Sequence, residues 1–322
     1  MNTRAVAAQG PAAPGALLTW LDSPAMRDRL PAALFVFLWS TGYIAGKIAV
    51  THAAPFTTLT LRFGGAALLF GTIVLVRRPQ WPRGAALLHS AVVGLTLAVQ
   101  FGAIYAAFAL GTSPGFSALV IGCMPLTTAL AMTAMGEKLT FRQWLGLLLG
   151  LAGVLLVLQD RLGSGLGSAA AGLLLLLALC GITFGTIYQK QHALDLDLNI
   201  GLMVQSLVAM LVLAPIASLH EHFRFDTSAA FAGSLLWMIF MNSGASFVLF
   251  FMLLRRGLAT RVSALFYLVT PITAIMGWLV MHEPMSAIKV TGFALAAGGV
   301  YLATRNYSSN NSSGNSPAAR AS

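Results

Sequence analysis

The stretch GTSPGFSALVIGCMPLTTALAMTAMGEKLTFRQWLGLLLGLAGVLL, from Gly111 to Leu156, decides the fold of this chain because it occurs twice. The second copy, GLATRVSALFYLVTPITAIMGWLVMHEPMSAIKVTGFALAAGGVYL, runs from Gly257 to Leu302 at a constant offset of 146 positions, and 13 of the 46 residue pairs are identical. Most of the other pairs exchange one apolar residue for another. The pattern indicates a duplicated unit.

The composition places this unit in a membrane. Apolar residues make up 57% of the chain and charged residues 9%, against about 25% charged residues in soluble domains. The sequence contains ten runs of about 20 apolar residues, the length that crosses a bilayer as a helix. They lie at 31–51, 56–76, 84–107, 115–135, 140–158, 169–190, 199–219, 229–253, 261–281 and 286–304. The sequence therefore predicts an all-α polytopic membrane protein with ten transmembrane helices.

The basic residues predict the orientation of these helices. With a cytoplasmic N-terminus, 14 Lys and Arg residues fall in cytoplasmic segments, and only Lys47, Arg161, Arg224 and Lys289 fall on the other side. Short cytoplasmic loops carry such an excess of positive charge. We therefore expect both termini to be cytoplasmic, and we attribute the net charge of +10 to orientation rather than to nucleic-acid binding.

Each half of the chain contains five spans, and an odd number inverts the second half relative to the membrane. The first spans also repeat, more faintly and at an offset of 143, where Gly42 pairs with Gly185 and Lys47 with Lys190. Inverted repeats are typical of secondary transporters, in which two halves move about a central site. The predicted units are a cytoplasmic segment 1–30, a first repeat 31–158, a linker 159–168, a second repeat 169–304 and a disordered tail 305–322.

Several motifs occur in a fixed order along these spans. WSTGYIAGK covers Trp39–Lys47, Arg62 lies in the second span, and P-x-T…x-E tracts run over Pro125–Glu137 and Pro271–Glu283. This ordered set resembles the EamA-type permeases of the drug/metabolite transporter superfamily, over about residues 31–304. The resemblance implies an inner-membrane carrier that exports amino acids or other small metabolites, with a cavity lined mainly by spans 1, 3, 4, 6, 8 and 9. It does not fix a substrate.

The paired prolines are the first candidates for the substrate site. Pro125 and Pro271 fall at matching positions near the middle of spans four and nine, where a proline frees the carbonyl four residues back, here that of Ile121 or Tyr267. We expect two broken helices facing the substrate, with Thr127 on the same cavity. The alternative is a packing kink whose free carbonyls are satisfied by Ser or Thr hydroxyls.

Polar stripes on spans three and eight form a second symmetric feature. Thr96 and Gln100 stand four residues apart, and Asn242 and Ser246 stand at the same places in the other half, at the offset of 146. Residues four apart share a helical face, and amides that faced lipid would be costly. These side chains are expected to line the cavity or, as the alternative, to hydrogen-bond neighbouring helices.

Trp39, Tyr43 and Arg62 complete the predicted substrate-binding residues. Trp39 and Tyr43 form an aromatic stripe that could stack on a flat or apolar substrate, although aromatic residues near span ends often belong to an interfacial belt. Arg62 lies within a span, and its counterpart at the offset of 143 is the neutral Gln205. A substrate carboxylate is one possible partner; a structural contact to loop carbonyls, favoured by the family resemblance, is the other.

Other functions lack the residues that they need. No cluster has metal-ligand spacing and no phosphate-binding loop follows a strand, so we predict neither metal nor cofactor and no enzymatic activity. Efflux of multiple drugs or quaternary amines usually needs a carboxylate in the first span, and none stands between Leu34 and Val50. The expected partners are a small-molecule substrate and membrane lipid; a non-transporting subunit stays an alternative, and the oligomeric state stays open, with a monomer compatible.

The acidic residues predict how transport is driven. All nine lie outside the span interiors or at their ends. Proton-driven carriers usually place a carboxylate or a histidine deep in the membrane. The sequence therefore favours facilitated diffusion or exchange over proton coupling.

Overall fold

The computed structural model describes residues 24–82, 84–134, 140–162, 166–192, 196–255, 259–282 and 285–304. Within these ranges the chain is helical apart from turns and one isolated antiparallel bridge between Ala53 and Phe225. The all-helical prediction is thus confirmed for this part of the chain. The predicted tail 305–322, most of segment 1–30, part of the linker, Glu137 and Glu283 lie outside the described residues.

The helices follow the predicted apolar runs closely. In the first half, α1 is Pro24–His52, α2 is Pro55–Arg77, α3 is Ala86–Ala109, α4 comprises Pro114–Ile121 and Met124–Ala134, and α5 is Phe141–Leu162. In the second half, α6 is Leu166–His192, α7 is Leu198–Ile216 with a π-helical turn Ala217–Glu221, α9 is Ala259–Met281 and α10 is Ala287–Thr304. Between them, α8 consists of Ala229–Trp237, a π-helix Met238–Ser246 and Phe247–Arg255.

Seven helices in the described ranges are long and apolar enough to cross a membrane, namely α1 to α4 and α6 to α8. Helices α5, α9 and α10 contain shorter apolar stretches, Trp144–Gly153, Leu268–Met281 and Ala287–Gly299. Ten spans and their inverted arrangement therefore remain predictions.

Outside these seven helices, α5 and α10 pack against each other through small residues. A Cβ placed on Gly153 would lie 2.5 Å from the Gly292 carbonyl oxygen, so only glycine permits this close approach.

Pro125 and Pro271 lie in helices of different continuity. Helix α4 ends at Ile121 and begins again at Met124, as expected for Pro125, whereas α9 is continuous through Pro271. The prediction of two broken helices is therefore wrong for α9. Next to the break in α4, Gly122 lies against α9, where an added Cβ would meet the Thr270 hydroxyl at 2.4 Å.

The Thr270 hydroxyl also donates a hydrogen bond to the Ala118 carbonyl at 3.0 Å. This hydroxyl from α9 adds a second hydrogen bond to a carbonyl of α4 that already accepts the Gly122 N–H at 2.7 Å, and so joins the two helices beside the break. The residue of α9 at the position of Gly122 is Leu268, whose side chain is exposed.

The distal end, defined here as the end where α1 stops at His52 and α2 starts at Pro55, joins the two halves. The Glu221 carboxylate accepts hydrogen bonds from the Phe56 and Thr57 backbone N–H groups at 3.0 and 2.6 Å, and from the Thr57 hydroxyl at 2.8 Å. A carboxylate at a helix N-terminus satisfies free donors and complements the helix dipole. This contact fixes the start of α2.

Candidate functional site

A small, partly open cavity with a free volume of about 30 Å³ lies between α1, α2, α3 and α8. Six aromatic side chains, two carboxamides, one guanidinium, a glycine and an isoleucine line it. They are Trp39, Gly42, Tyr43, Arg62, Gln100, Phe101, Ile104, Tyr105, Phe108, Asn242 and Phe247. Its mixture of apolar walls with a few polar groups is typical of small-molecule sites.

Arg62 is the charged group of this cavity. Its side chain is 2% exposed, because α2 places it between α3 and α8. Its Nε donates to the Ser243 hydroxyl at 3.0 Å and its Nη1 to the Tyr105 hydroxyl at 3.2 Å. The guanidinium carbon lies 4.4 Å from the centre of the Phe101 ring. The hydrogen-bond acceptors of Arg62 are side chains of other spans. The prediction of a contact to loop carbonyls is therefore wrong.

The carboxamides leave polar atoms unpaired. Asn242 donates its Nδ2 hydrogen to the Leu38 carbonyl, while its Oδ1 is buried without a hydrogen-bond partner among the described residues. Gly42 makes this contact possible, because a Cβ there would lie 2.8 Å from the Asn242 Nδ2. Gln100 is 4% exposed, and its side chain hydrogen-bonds no described residue. Both amides can therefore bind a polar ligand.

Packed aromatic rings separate the cavity from the end of the bundle opposite the distal end. We call Phe35, Trp39, Phe247, Phe250 and Phe266 the aromatic layer. Trp39 lies at its centre, with ring centroids 5.2 to 6.0 Å from those of its four partners. Towards the distal end, the Lys47 ammonium donates to the Phe108 carbonyl at 2.8 Å. The site thus has a thick aromatic boundary on one side and a polar contact of Lys47 on the other.

Comparison with known proteins identifies the class of molecule. The model of the EamA-like transporter family matches residues 30–159 and 169–305, which together are most of the chain. The chain belongs to the EamA-like transporter family. The predicted resemblance is thereby confirmed, and with it membrane transport as the general activity of this EamA-like protein.

Curated relatives agree with this family. The inner membrane transporter YedA of Escherichia coli is 26% identical over 294 residues, which cover 86% of this chain and 92% of YedA. A second Escherichia coli protein, named "Probable amino-acid metabolite efflux pump", is 25% identical over 290 residues, covering 86% of this chain and 94% of its own. A solved crystal structure with 19% identity has a TM-score of 0.64 and covers 86% of this chain and 97% of its own. That likeness concerns the fold alone.

Five of the predicted site residues of this EamA-like protein line the cavity together: Trp39, Tyr43, Arg62, Gln100 and Asn242. Among the other predicted residues whose side chains the structure describes, none belongs to its lining. Thr96 lies against Gly185, where an added Cβ would be 2.4 Å from its hydroxyl. Thr127 shares a hydrogen bond of 2.6 Å with Thr183 of α6.

The remaining predicted positions also lie apart from the lining. Pro125 is buried at the break of α4, and Pro271 is half-buried within α9. Ser246 is fully buried, and its hydroxyl has no partner among the described residues. The side chain of Tyr267 lies outside the described residues. The paired prolines are therefore not on the cavity wall.

Sequence reasoning missed an aromatic face on α3 and a serine on α8. Phe101, Tyr105 and Phe108 follow at spacings of four and three, which is the pattern of one helical face, so the signal was present. Ser243 carried no such signal. The π-helix Met238–Ser246 forms hydrogen bonds to the fifth rather than the fourth residue. Side chains are therefore rotated from their α-helical positions, which turns Ser243 towards Arg62 and leaves Ser246 off the cavity.

Proposed function

We propose that this protein is an inner-membrane secondary transporter that exports small metabolites, most simply amino acids or related compounds, by alternating access through the cavity. The observation that carries this proposal is the composition of the cavity wall. Side chains of α1, α2 and α3 from the first half meet Asn242 and Phe247 of α8 from the second half around one space. Relative movement of two repeated halves would change access to such a site.

The aromatic layer supports alternating access in particular. Trp39 belongs to α1, Phe247 to α8 and Phe266 to α9, so rings from both halves form this boundary. Separation of the halves would part these rings and open the cavity towards the end that the basic residues predict to be cytoplasmic. The boundary contains no backbone bridge in the described ranges, so it can separate without breaking main-chain hydrogen bonds.

The amino-acid substrate class is supported by two further observations. The cavity combines one guanidinium and two carboxamides with aromatic walls, and one relative is named as an amino-acid metabolite efflux pump. The rival function, efflux of quaternary amines, would favour an acidic group in the cavity, and no acidic residue belongs to the lining within the described residues. Arg62 would repel such cations.

A growth assay tests transport through this cavity. Cells that overexpress the protein are exposed to toxic amino-acid analogues, and selective resistance is expected because export lowers the internal concentration. Gly42→Ala should lower resistance, because the new Cβ displaces the Asn242 amide from a distance of 2.8 Å. The matched control Gly172→Ala has open space at its Cβ and should behave as the wild type. Equal resistance in both variants, or none with any analogue, contradicts the proposal.

Facilitated diffusion or exchange is the proposed mode of energy use. Liposomes that contain the purified protein and equal substrate on both sides should show no accumulation under an imposed pH difference. Sustained uphill accumulation of an amino acid whose own ionisation does not respond to that difference would demonstrate proton coupling. Lys47 and His89 would then be the next proton-site candidates.

Both termini are proposed to face the cytoplasm. Reporter fusions after Gln80 and Ala259 should give cytoplasmic signals, whereas fusions after Thr112 and Arg224 should give periplasmic ones. The assay checks the inverted arrangement directly, because the tested loops belong to both halves. A periplasmic signal at Gln80 together with a cytoplasmic one at Thr112 would reverse the orientation.

A further inference from the structure

We infer that the cavity takes a substrate with a carboxylate group and an apolar body, and that Arg62 binds the carboxylate. This inference rests on the proposed transport function and adds the chemical group that the site selects. The basis is a buried guanidinium with spare donors, placed among aromatic rings and beside unpaired amides.

Arg62 has N–H donors that no described residue accepts, so these donors can bind an anion. A guanidinium has five N–H donors, of which Ser243 and Tyr105 accept one each. Nη2 has no hydrogen-bond partner among the described residues, and no carboxylate of these residues lies within ion-pair distance of Arg62. A buried charge without a counterion is costly, and a ligand carboxylate would remove that cost through charge-assisted hydrogen bonds.

The aromatic neighbours determine the direction from which a ligand can approach. Phe101 and Phe63 lie 4.4 and 5.5 Å from the guanidinium carbon. Rings at these distances hold the cation by cation–π attraction and leave its N–H groups for hydrogen bonds. A planar carboxylate matches such a fork with two parallel hydrogen bonds. The geometry therefore favours a carboxylate over a single hydroxyl or a carbonyl.

The other polar groups indicate a second contact. The Asn242 Oδ1 is a buried acceptor without a partner, and a ligand ammonium or amide hydrogen would satisfy it. Gln100 can donate or accept at the same cavity. Between these groups stand Trp39, Tyr105 and Phe247, which suit an apolar or aromatic side chain. An amino acid with an uncharged side chain combines a carboxylate for Arg62, an ammonium group for Asn242 and an apolar body for the rings. An organic cation lacks the carboxylate that Arg62 would bind.

A series of related ligands tests this inference on the wild-type protein. Equilibrium binding is measured for L-phenylalanine, L-leucine, 3-phenylpropanoate, which lacks the ammonium group, and phenethylamine, which lacks the carboxylate. We expect at least one carboxylate compound to bind, and phenethylamine to bind at least tenfold more weakly than its carboxylate analogues. Binding of phenethylamine as tight as that of L-phenylalanine, or no binding of any carboxylate compound, overturns the inference.

Variants then assign the effect to Arg62. Arg62→Gln should weaken carboxylate binding about ten- to hundredfold, the loss of charge-assisted hydrogen bonds, while leaving phenethylamine binding unchanged or tighter. Arg62→Lys should give an intermediate loss because it keeps the charge without the fork. The control Arg77→Gln changes an exposed arginine on the same helix and should bind as the wild type. Equal loss for phenethylamine and carboxylates would indicate a structural role and contradict the inference.

Transport assays in liposomes separate this inference from the proposed function. Uptake of phenethylamine without uptake of the carboxylate compounds would leave transport through the cavity intact and overturn carboxylate selection. Uptake of carboxylates that is equal in Arg62→Gln and the wild type would likewise keep transport and remove Arg62 from recognition. No uptake of any compound in the series would contradict amino-acid transport itself, and with it the inference.

Discussion

Equivalent positions in the two halves of the molecule hold side chains that differ in charge and in hydrogen bonding. Arg62 on α2 and Gln205 on α7 correspond at the offset of 143, and each is 2% exposed. Arg62 keeps donors unpaired beside a cavity, whereas the Gln205 Nε2 donates to the Gln189 Oε1 at 2.9 Å. The second half thus pairs the amide donor of this side chain internally, although the Gln205 Oε1 has no partner among the described residues, whereas the first half leaves guanidinium donors unpaired.

One residue on the neighbouring helix explains the difference in space. At the same offset, Gln189 corresponds to Gly46. A Cβ on Gly46 would lie 2.7 Å from the Tyr105 hydroxyl oxygen, so only glycine admits this hydroxyl next to Arg62. In the second half the glutamine fills that volume and pairs with Gln205. The duplication gave two equivalent sets of helix positions. Single side chains at these positions determine which set has space beside a buried polar group.

The largest effect is expected from removing the space at Gly46. Gly46→Ala should lower the transport rate about tenfold, because the new methyl group displaces the Tyr105 hydroxyl from Arg62 at a cost of about 1–3 kcal/mol. The measurement is initial uptake by liposomes at equal protein content. Gly172→Ala, with open space at its Cβ, is the matched control. Wild-type transport by Gly46→Ala would remove the proposed reason for the asymmetry.

The polar stripes show the same selective use of repeated positions. Thr96 corresponds to Asn242 and Gln100 to Ser246 at the offset of 146. Only Asn242 and Gln100, one residue of each pair, line the cavity. The wall of the cavity therefore does not follow the internal repeat of the sequence.

The next effect in size comes from the two amides. Asn242→Leu and Gln100→Leu should each reduce transport about three- to tenfold with membrane abundance near that of the wild type, because a lost ligand hydrogen bond contributes about 0.5–1.5 kcal/mol. Uptake normalised to abundance on immunoblots measures this. Should both variants transport at the wild-type rate, the amides serve only to join helices.

The sequence was sufficient for the general architecture because membrane helices carry strong local signals. Apolar runs located the helices. Arg62, Trp39 and Gln100 could be chosen as site residues because polar and aromatic groups inside spans are unusual. These features depend on residue type and helical spacing alone.

Other features depended on contacts between distant residues and could not be predicted. Pro271 alone predicts a break that α9 does not show, and the π-helix of α8 determines which serine faces Arg62. The pairing of Gln189 with Gln205 required knowing how α6 and α7 pack. Periodicity assigns a face to a residue, but it does not identify the side chain across from it.

A smaller effect on transport is expected from Gln205, which tests the opposite half. Gln205→Leu should lower the free energy of unfolding by about 1–2 kcal/mol, because the buried Gln189 loses a hydrogen-bond partner, and should change transport less than twofold. Thermal unfolding in detergent and liposome uptake measure the two quantities. A transport loss as large as that of Arg62→Gln would show that both halves contribute equally to the site.

The smallest effect is expected from Thr96, the counterpart of Asn242. Its hydroxyl donates within α3 to the Val93 carbonyl at 2.7 Å, and its side chain packs against Gly185 rather than lining the cavity. Thr96→Val keeps the shape of the side chain and removes only this intrahelical hydrogen bond, so uptake should change less than twofold and substrate affinity not at all. Uptake as a function of substrate concentration separates the two quantities. A several-fold rise in the half-saturating substrate concentration would place Thr96 in contact with the substrate. The site would then include both Thr96 and its counterpart Asn242, which would contradict the asymmetry inferred from Arg62 and Gln205.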